Sequence, residues 1–328
     1  MKQRLKTALF PYGHTRPLRD GRVALSDYEL DFVDVKPMVA AYRTMVRDLT
    51  YDVCEIPITT YVVAKARAKG FTALPIVVNH MLHYGDVQVG TDTGIEKPAD
   101  LVGRRVGVRA YTVTTGVWVR GLLQSEFGVD PSTITWYTDD EEHVREFVAP
   151  ANVVAAPKGT SLVDLFQRGD IDAAFAGPAG LGREGAPTAN WDAGSATRDA
   201  VRATRPYRPL FPDAPKRDAD WFARTGAYPL HGLVCVKDEL LRNDPQLASA
   251  LFAAFDQSKQ LYLRGLDTAA PGDAEDDKWK RMRAFVGGDP LPYGIEANRP
   301  SLELLLGYAA AQGLTPRRFS AEEIFAPV

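Results

Sequence analysis

His14, Arg16, Glu55, His80 and His83 are the side chains best suited to moving a proton or holding an organic acid. An unperturbed imidazole titrates near about 6.5, so His14 can donate a proton at neutrality or bind a carboxylate. Its bland alternative is to brace the turn before Thr-Arg-Pro. Arg16 carries the planar fork that grips a carboxylate with two parallel hydrogen bonds. The competing reading is a surface ion pair with Asp20 or Asp34. Glu55, in the apolar stretch DVCEIP, is oddly placed for a solvated charge. Either burial has raised its pKa for acid–base work, or its charge is buried against Arg16 for structure alone. His80 and His83 stand three apart. On a helical turn that spacing faces both one way, like a pair of metal ligands, but no third ligand is evident.

A second group gathers at a helix start. In PADLVGRRVGVRAYTVTTGVWVRGLLQSEFG, residues 98–128, a short strand over 104–108 leads through a loop into a helix. The helix begins near Thr114 and runs to Phe127, with Gly128 just past its end as a stop. Free backbone N–H groups and the hydroxyls of Thr114 and Thr115 converge there and favour an anion, such as a carboxylate or phosphate. Tyr111 lies in the same loop. The alternative is that one threonine simply caps the helix. Trp118, further in, is either core packing or a stacking surface for an aromatic ring. His231, in PLHG, precedes a strand.

The elements that must position these groups alternate. Residues 5–10, 30–35, 51–54 and 74–78 read as strands, and helices run over 37–47 and from Pro57 to Gly70. The later half adds a strand at ITWYT, a helix from Ser161 to Gly169 and a strand at 171–176. LHGLVCV is a further strand, and helices follow over 245–266, 278–285 and 298–312. Residues 177–209 read as a long irregular crossing, and APGDAEDD as a solvated acidic loop. Alternating β and α elements make parallel or mixed sheets covered by helices. Ligands of such sheets bind beyond the carboxyl ends of strands. That rule points to the loops carrying His14, Thr15 and Arg16, then Glu55, then Asn79, His80 and His83, then Tyr111 to Thr115.

The chain has 328 residues, 45% hydrophobic and 25% charged, with a net charge of −3. That suits two domains with real cores and gives no basic field for nucleic acid. No apolar run approaches a membrane span. Behind the basic N-terminus the run ALF is too short for a secretory signal, so a cytoplasmic location is expected. Cys54 and Cys235 imply neither a disulfide framework nor a metal site. There is no Walker loop, GVRAYT lacks dinucleotide-binding glycine spacing, and no GxSxG elbow occurs. No cofactor is expected, a divalent metal is left open, and a homo-oligomer is compatible with the sequence. The chemistry on offer is acid–base and electrostatic.

The order DL-x-G-x-x-V-G-V, a Thr-rich turn and a helix of this length resembles the second-domain opening of type 2 periplasmic binding proteins. The segment VWVRGLLQSEFGVDPSTITW resembles the 4,5-dihydroxyphthalate decarboxylase family, which uses that fold. The same resemblance recurs in the x-Thr-Arg-Pro-Leu turn, RTGAYPLHGLVCVKDELLR, LPYGIEANRPSLELLLGYAAAQGLTPRR and EEIFAP. It implies a two-lobed α/β fold with a hinge and an interlobe cleft. Lobe one would take residues 1–90 and 205–328, and lobe two 91–204. It also implies arginines near the positions of His80 and His83, where histidines suit a less charged acid or a pH-sensitive contact. A family histidine lies close to His231.

The resemblance implies a cytoplasmic non-oxidative decarboxylase of a hydroxylated aromatic or related acid. Arg16, Thr114 and Thr115 would hold the carboxylate, and His14 or Glu55 would deliver a proton to the ring carbon. His80, His83, Tyr111, Trp118 and His231 would complete the substrate contacts. The rivals are a solute-binding protein of an ABC-type uptake system and another lyase on this fold, such as a chorismate dehydratase-like enzyme.

Overall fold

The structure, a computed structural model, describes residues 2–182, 204–270 and 272–328. It divides into two compact units. Unit 1 comprises Met1–Met81, Leu230–Glu303 and Phe319–Val328, and unit 2 comprises Leu82–Pro229 and Leu304–Arg318.

In unit 1 the chain runs β1 (Gln3–Ala8), α1 (Arg16–Arg19), β2 (Tyr28–Phe32), α2 (Met38–Asp48), β3 (Val53–Pro57), α3 (Ile58–Lys65) and β4 (Phe71–His80). Unit 2 follows with β5 (Val87–Gly90), β6 (Arg105–Gly107), α4 (Thr114–Phe127), β7 (Thr135–Thr138), β8 (Val153–Ala155), α5 (Leu162–Gln167), β9 (Ala173–Phe175), β10 (Tyr207–Pro209) and α6 (Ala214–Thr225). The chain then adds β11 (Leu230–Lys237), α7 (Asp238–Asn243), α8 (Leu247–Leu266), α9 (Ala274–Val286), α10 (Ile295–Ala311) and α11 (Ala321–Ile324). No helix among the described residues is long and apolar enough to cross a membrane.

The unit 1 sheet has the order β2-β1-β3-β11-β4. β1 pairs parallel with β2 and β3, and β11 runs antiparallel to both β3 and β4. The first four strands therefore point one way, and their carboxyl ends share one edge. Both faces are covered, so β3 and β4 read as nearly unbroken apolar runs. Leu5, Val53, Ile76, Val78, Val234 and Val236 pack against Leu251 and Phe255 of α8. Those two residues stand four apart and share a helix face.

The unit 2 sheet has the order β10-β5-β9-β6-β7-β8. α4 is buried from Thr114 through Leu123 and ends at Gly128, whose φ of 66° is the left-handed stop read in the sequence. Its Gly121 has no room for a side chain, because a Cβ there would lie 2.1 Å from the Tyr308 ring of α10. α5 starts at Ser161, whose side chain and Asp164 form a reciprocal capping box.

The unit bounds differ from those expected, 1–90 with 205–328 and 91–204. β5, which those bounds place at the end of lobe one, belongs to the second sheet, where it pairs with β9 and β10. Residues 304–318 return to unit 2. One helical periodicity gives no sign that α10 serves unit 1 up to Glu303 and unit 2 from Leu304. The crossing read over 177–209 includes a short helical turn at Gly177–Ala179 and β10, while 183–203 lies outside the described residues. The stretch read as a solvated acidic loop opens α9, with Asp273 accepting from the N–H groups of Glu275 and Asp276.

Candidate functional site

In unit 1 the Glu55 carboxyl and the His14 turn lie toward the carboxyl ends of β1, β3 and β4. Glu55 lies within β3 rather than at its end, and it is 3% exposed. Its room comes from β11, where a Cβ on Gly232 would lie 2.7 Å from Glu55 Oε1. Glu55 Oε2 accepts from the Phe10 N–H at 3.1 Å. Oε1 accepts from the Tyr12 hydroxyl at 2.8 Å and the Tyr42 hydroxyl at 3.3 Å. Burial raises the Glu55 pKa, and the three donors oppose that rise without cancelling it. Its hydrogen-bond partners are these donors and not Arg16. Phe10, 47% exposed, packs its ring 4.9 Å from that of Tyr12.

His14 departs from its expected role. It is fully buried, and its Nε2–H donates to the Val78 carbonyl at 3.0 Å. Its Nδ1 has no hydrogen-bond partner among the described residues. The ring stacks on Tyr12 at 5.1 Å and meets the edges of Tyr262 and Trp279. Burial pushes its pKa down to about 3, with Lys278 and Lys259 adding to the fall and the Val78 bond opposing it. An imidazole so placed is neutral at pH 7 and holds no spare proton, which removes the argument for His14 as donor.

That placement makes a prediction. The unfolded chain's His14 takes up a proton below about pH 6.5, and the folded one refuses it until about pH 3. The stabilisation is complete above about 6.5 and is lost as pH falls, with a slope of at most about 1.4 kcal/mol per pH unit. His14→Gln keeps a donor for Val78 but does not titrate. Urea titrations between pH 7 and 4 should show a shallower loss of stability in the variant. Identical slopes in the two proteins would reject the assignment.

The sequence reading missed the residues that hold this turn. Ser258 of α8 donates its hydroxyl to the His14 carbonyl at 2.7 Å. The Glu275 carboxylate of α9 accepts from the Gly13 N–H at 2.9 and 3.0 Å. A Cβ on Gly13 would lie 2.5 Å from the Tyr262 ring, so only glycine fits that approach. Lys278 Nζ donates to Asn79 Oδ1 at 2.7 Å. Gly13, between two aromatic rings in PYGHTRP, was the available signal of a close neighbour.

The remaining candidates of unit 1 are dispersed. Arg16 is exposed at the start of α1, and Asp20, its suggested ion-pair partner, binds Arg22 instead at 2.8 Å. His80 is buried as the last residue of β4, so no helical turn joins it to His83, which belongs to unit 2. His231 is half-buried inside β11 rather than ahead of it.

In unit 2 the helix start holds a carboxylate of its own chain. Glu142 Oε1 accepts from the Tyr111 N–H at 2.6 Å and the Thr112 N–H at 3.3 Å, and Oε2 accepts from the Thr112 hydroxyl. Burial raises the Glu142 pKa. Thr114 and Thr115 are buried at the first two helical positions, but neither caps α4: the N-cap is Val113, with no side-chain cap bond. Arg120, fully buried, donates Nε to Gln312 Oε1 at 2.8 Å and Nη2 to the Tyr111 carbonyl. Its guanidinium lies 3.9 Å over the Tyr111 ring, whose other neighbour is Phe147. Burial lowers Arg120 to about 10.

Trp118 is fully buried and edge-on to Trp221 and Tyr308. His83 stacks on it at 6.1 Å and binds Asp86 through Nδ1 at 2.7 Å. Tyr111, Trp118 and His83 thus each pack against other rings of unit 2.

No family model matches the chain. It is 31% identical to a 4,5-dihydroxyphthalate decarboxylase of Comamonas testosteroni, over 99% of this chain and 97% of that protein. Among solved structures it resembles the desulfurization enzyme DSZB, with a TM-score of 0.55, 15% identity, and coverage of 99% of this chain and 97% of that one. It also resembles a Candida albicans protein described as having the generic periplasmic binding protein fold. There the TM-score is 0.51 at 13% identity, covering 99% of this chain and 94% of that one. These two likenesses establish the fold: a mixed α/β architecture with two sheets, of the periplasmic-binding-protein type.

Proposed function

Because the chain belongs to the 4,5-dihydroxyphthalate decarboxylase family, we propose that it releases CO2 from a hydroxylated aromatic carboxylic acid without an oxidant. The observation that carries this reading is Glu55, a buried carboxyl whose pKa is raised and which lies near the carboxyl edge of the unit 1 sheet. Decarboxylation breaks the bond between the ring and the carboxylate carbon. The electron pair stays with the ring carbon, which takes a proton as CO2 leaves. A ring hydroxyl helps, because it lets the ring hold that proton before it becomes aromatic again.

Glu55 supplies the proton, and its raised pKa keeps the acid form populated to higher pH than an exposed glutamate would. The Tyr12 and Tyr42 hydroxyls and the Phe10 N–H fix its carboxyl in one orientation. The half-exposed ring of Phe10 offers an aromatic acid a stacking surface at the same edge. Arg16, exposed at the start of α1, attracts the anion.

The test is a thermal-shift screen of mono- and dihydroxylated benzoates and phthalates, followed by CO2 detection for each acid that raises the melting temperature. Stoichiometric CO2 and the matching phenol, with no oxygen consumed, are the expected products. A chain that binds such acids and releases no CO2 from any of them would be a binding protein, and the reading would be wrong.

A further inference from the structure

α9 carries a cation with an unusual set of partners. Lys278 is half-buried, its Nζ donates to the neutral amide oxygen of Asn79, and the ammonium lies 4.2 Å over the Trp279 ring. Among the described residues no carboxylate forms an ion pair with it. Lys259, on the neighbouring α8, shows what a structural lysine of this unit looks like. It is fully buried and paired with Asp289 at 2.9 Å and Asp256 at 3.1 Å. A charge removed from water is costly unless an opposite charge or several hydrogen bonds replace its hydration, and Lys278 has one amide and one ring face. Glu275, one turn back on α9, acts on the ammonium through its charge but forms no ion pair with it, its carboxylate being held by the Gly13 N–H.

The place matters as much as the charge. Asn79 is the penultimate residue of β4, and the Gly13–His14 turn follows β1. Lys278 lies close enough to the buried His14 ring to depress its pKa. The ammonium therefore sits at the edge of the unit 1 sheet where the parallel strands end, the usual ligand side of such sheets. Burial lowers Lys278 to about 8, and the charge of Glu275 opposes that fall without cancelling it.

We propose that Lys278, oriented by Asn79, is the counter-charge for a carboxylate of the aromatic acid and so a specificity residue of the unit 1 site. This deepens the decarboxylase reading and rests on it for the class of ligand. Asn79 holds the ammonium in place, and its amide N–H is left to donate to the same carboxylate. Trp279 supplies a ring face beneath the charge.

The experiment is calorimetric binding of benzoate, phthalate and 4,5-dihydroxyphthalate, with dimethyl phthalate as an uncharged control, to the parent and Lys278→Met. Methionine keeps the length and packing over Trp279 and removes the charge. The expected result is at least a tenfold loss of affinity for each acid the parent binds, with dimethyl phthalate affected less than threefold. Lys278→Arg should recover part of the loss. Parent-like affinity of the Met variant for the acids overturns the proposal. So does an equal loss for the ester, which would mean collapsed packing, and so does failure of the parent to bind any of the three acids. The two readings fail separately. Lysine-dependent binding without CO2 release from any acid leaves the subsite standing and removes the decarboxylase. CO2 release by the Met variant at the parent rate and KM does the reverse.

Discussion

Glu55→Gln should lower turnover by about 10²-fold or more while leaving the fold intact, the usual share of a general acid. Glutamine has the shape of the glutamic acid it replaces. Its amide oxygen can accept from the Phe10 N–H, and its amide N–H groups can meet the Tyr12 and Tyr42 oxygens. What it lacks is a transferable proton. The pH profile separates this from a packing defect. The folded pKa of Glu55 is raised, so parent activity should fall as pH rises through that pKa, and the residual activity of the variant should not follow the same limb. The stability sign agrees. A raised carboxyl contributes stability below its unfolded pKa, near about 4.3, and loses it as pH rises. The variant should therefore melt no lower than the parent at pH 8. Parent-rate CO2 release by Glu55→Gln would end the assignment of Glu55 as donor.

The second large effect is one of packing. Gly121→Ala puts a Cβ on α4 where the Tyr308 ring already stands, 2.1 Å away. On helix propensity alone the change would gain roughly 1 kcal/mol. The clash should win, because Tyr308 has little freedom to retreat. Its hydroxyl is 2.8 Å from Ser125 Oγ, and its ring meets the edge of Trp118. A net loss of about 1–3 kcal/mol is expected, the range for overpacking a tight interface. In a unit of this size that lowers the melting temperature by roughly 2–4 °C per kcal/mol. Adding Tyr308→Ala removes the obstacle, so the double variant should lose less than the two single losses combined. Strict additivity would show that the two residues do not touch in solution.

Local chemistry explains which parts of this structure were legible in sequence. α4 was read with its observed bounds because a glycine in the left-handed region ends it and a turn precedes it, both short-range signals. The burial of Glu55 was legible because a carboxyl inside DVCEIP has nowhere wet to go. His14 was misread because its desolvation comes from Tyr262 and Trp279, residues that no local pattern connects to PYGHTRP. No local pattern marks Lys278 and Glu275 for the same reason: an acidic stretch before a helix looks solvated until its partner, the Gly13 N–H, is known. Thr114 and Thr115 drew attention as hydroxyls at a helix start, yet the carboxylate in that turn comes from Glu142 and is held one step earlier, at Tyr111 and Thr112. His80 and His83 looked like a helical pair because nothing in the sequence showed that β4 continues to His80.

The order of the unit 1 strands sets a timetable for synthesis. β11 is hydrogen-bonded on one side to β3 and on the other to β4, so it separates two strands that leave the ribosome long before it does. At translation rates of roughly 5–20 residues/s, β4 waits on the order of ten seconds for its neighbour. Meanwhile all of unit 2 up to Pro229 is made. During that interval VCEIP and FTALPIVVNH have open edges and apolar faces, the condition under which nascent chains associate with one another. A chain stalled before residue 230 would keep those edges open, so the nascent protein is most in need of a chaperone over the stretch of synthesis between β4 and β11.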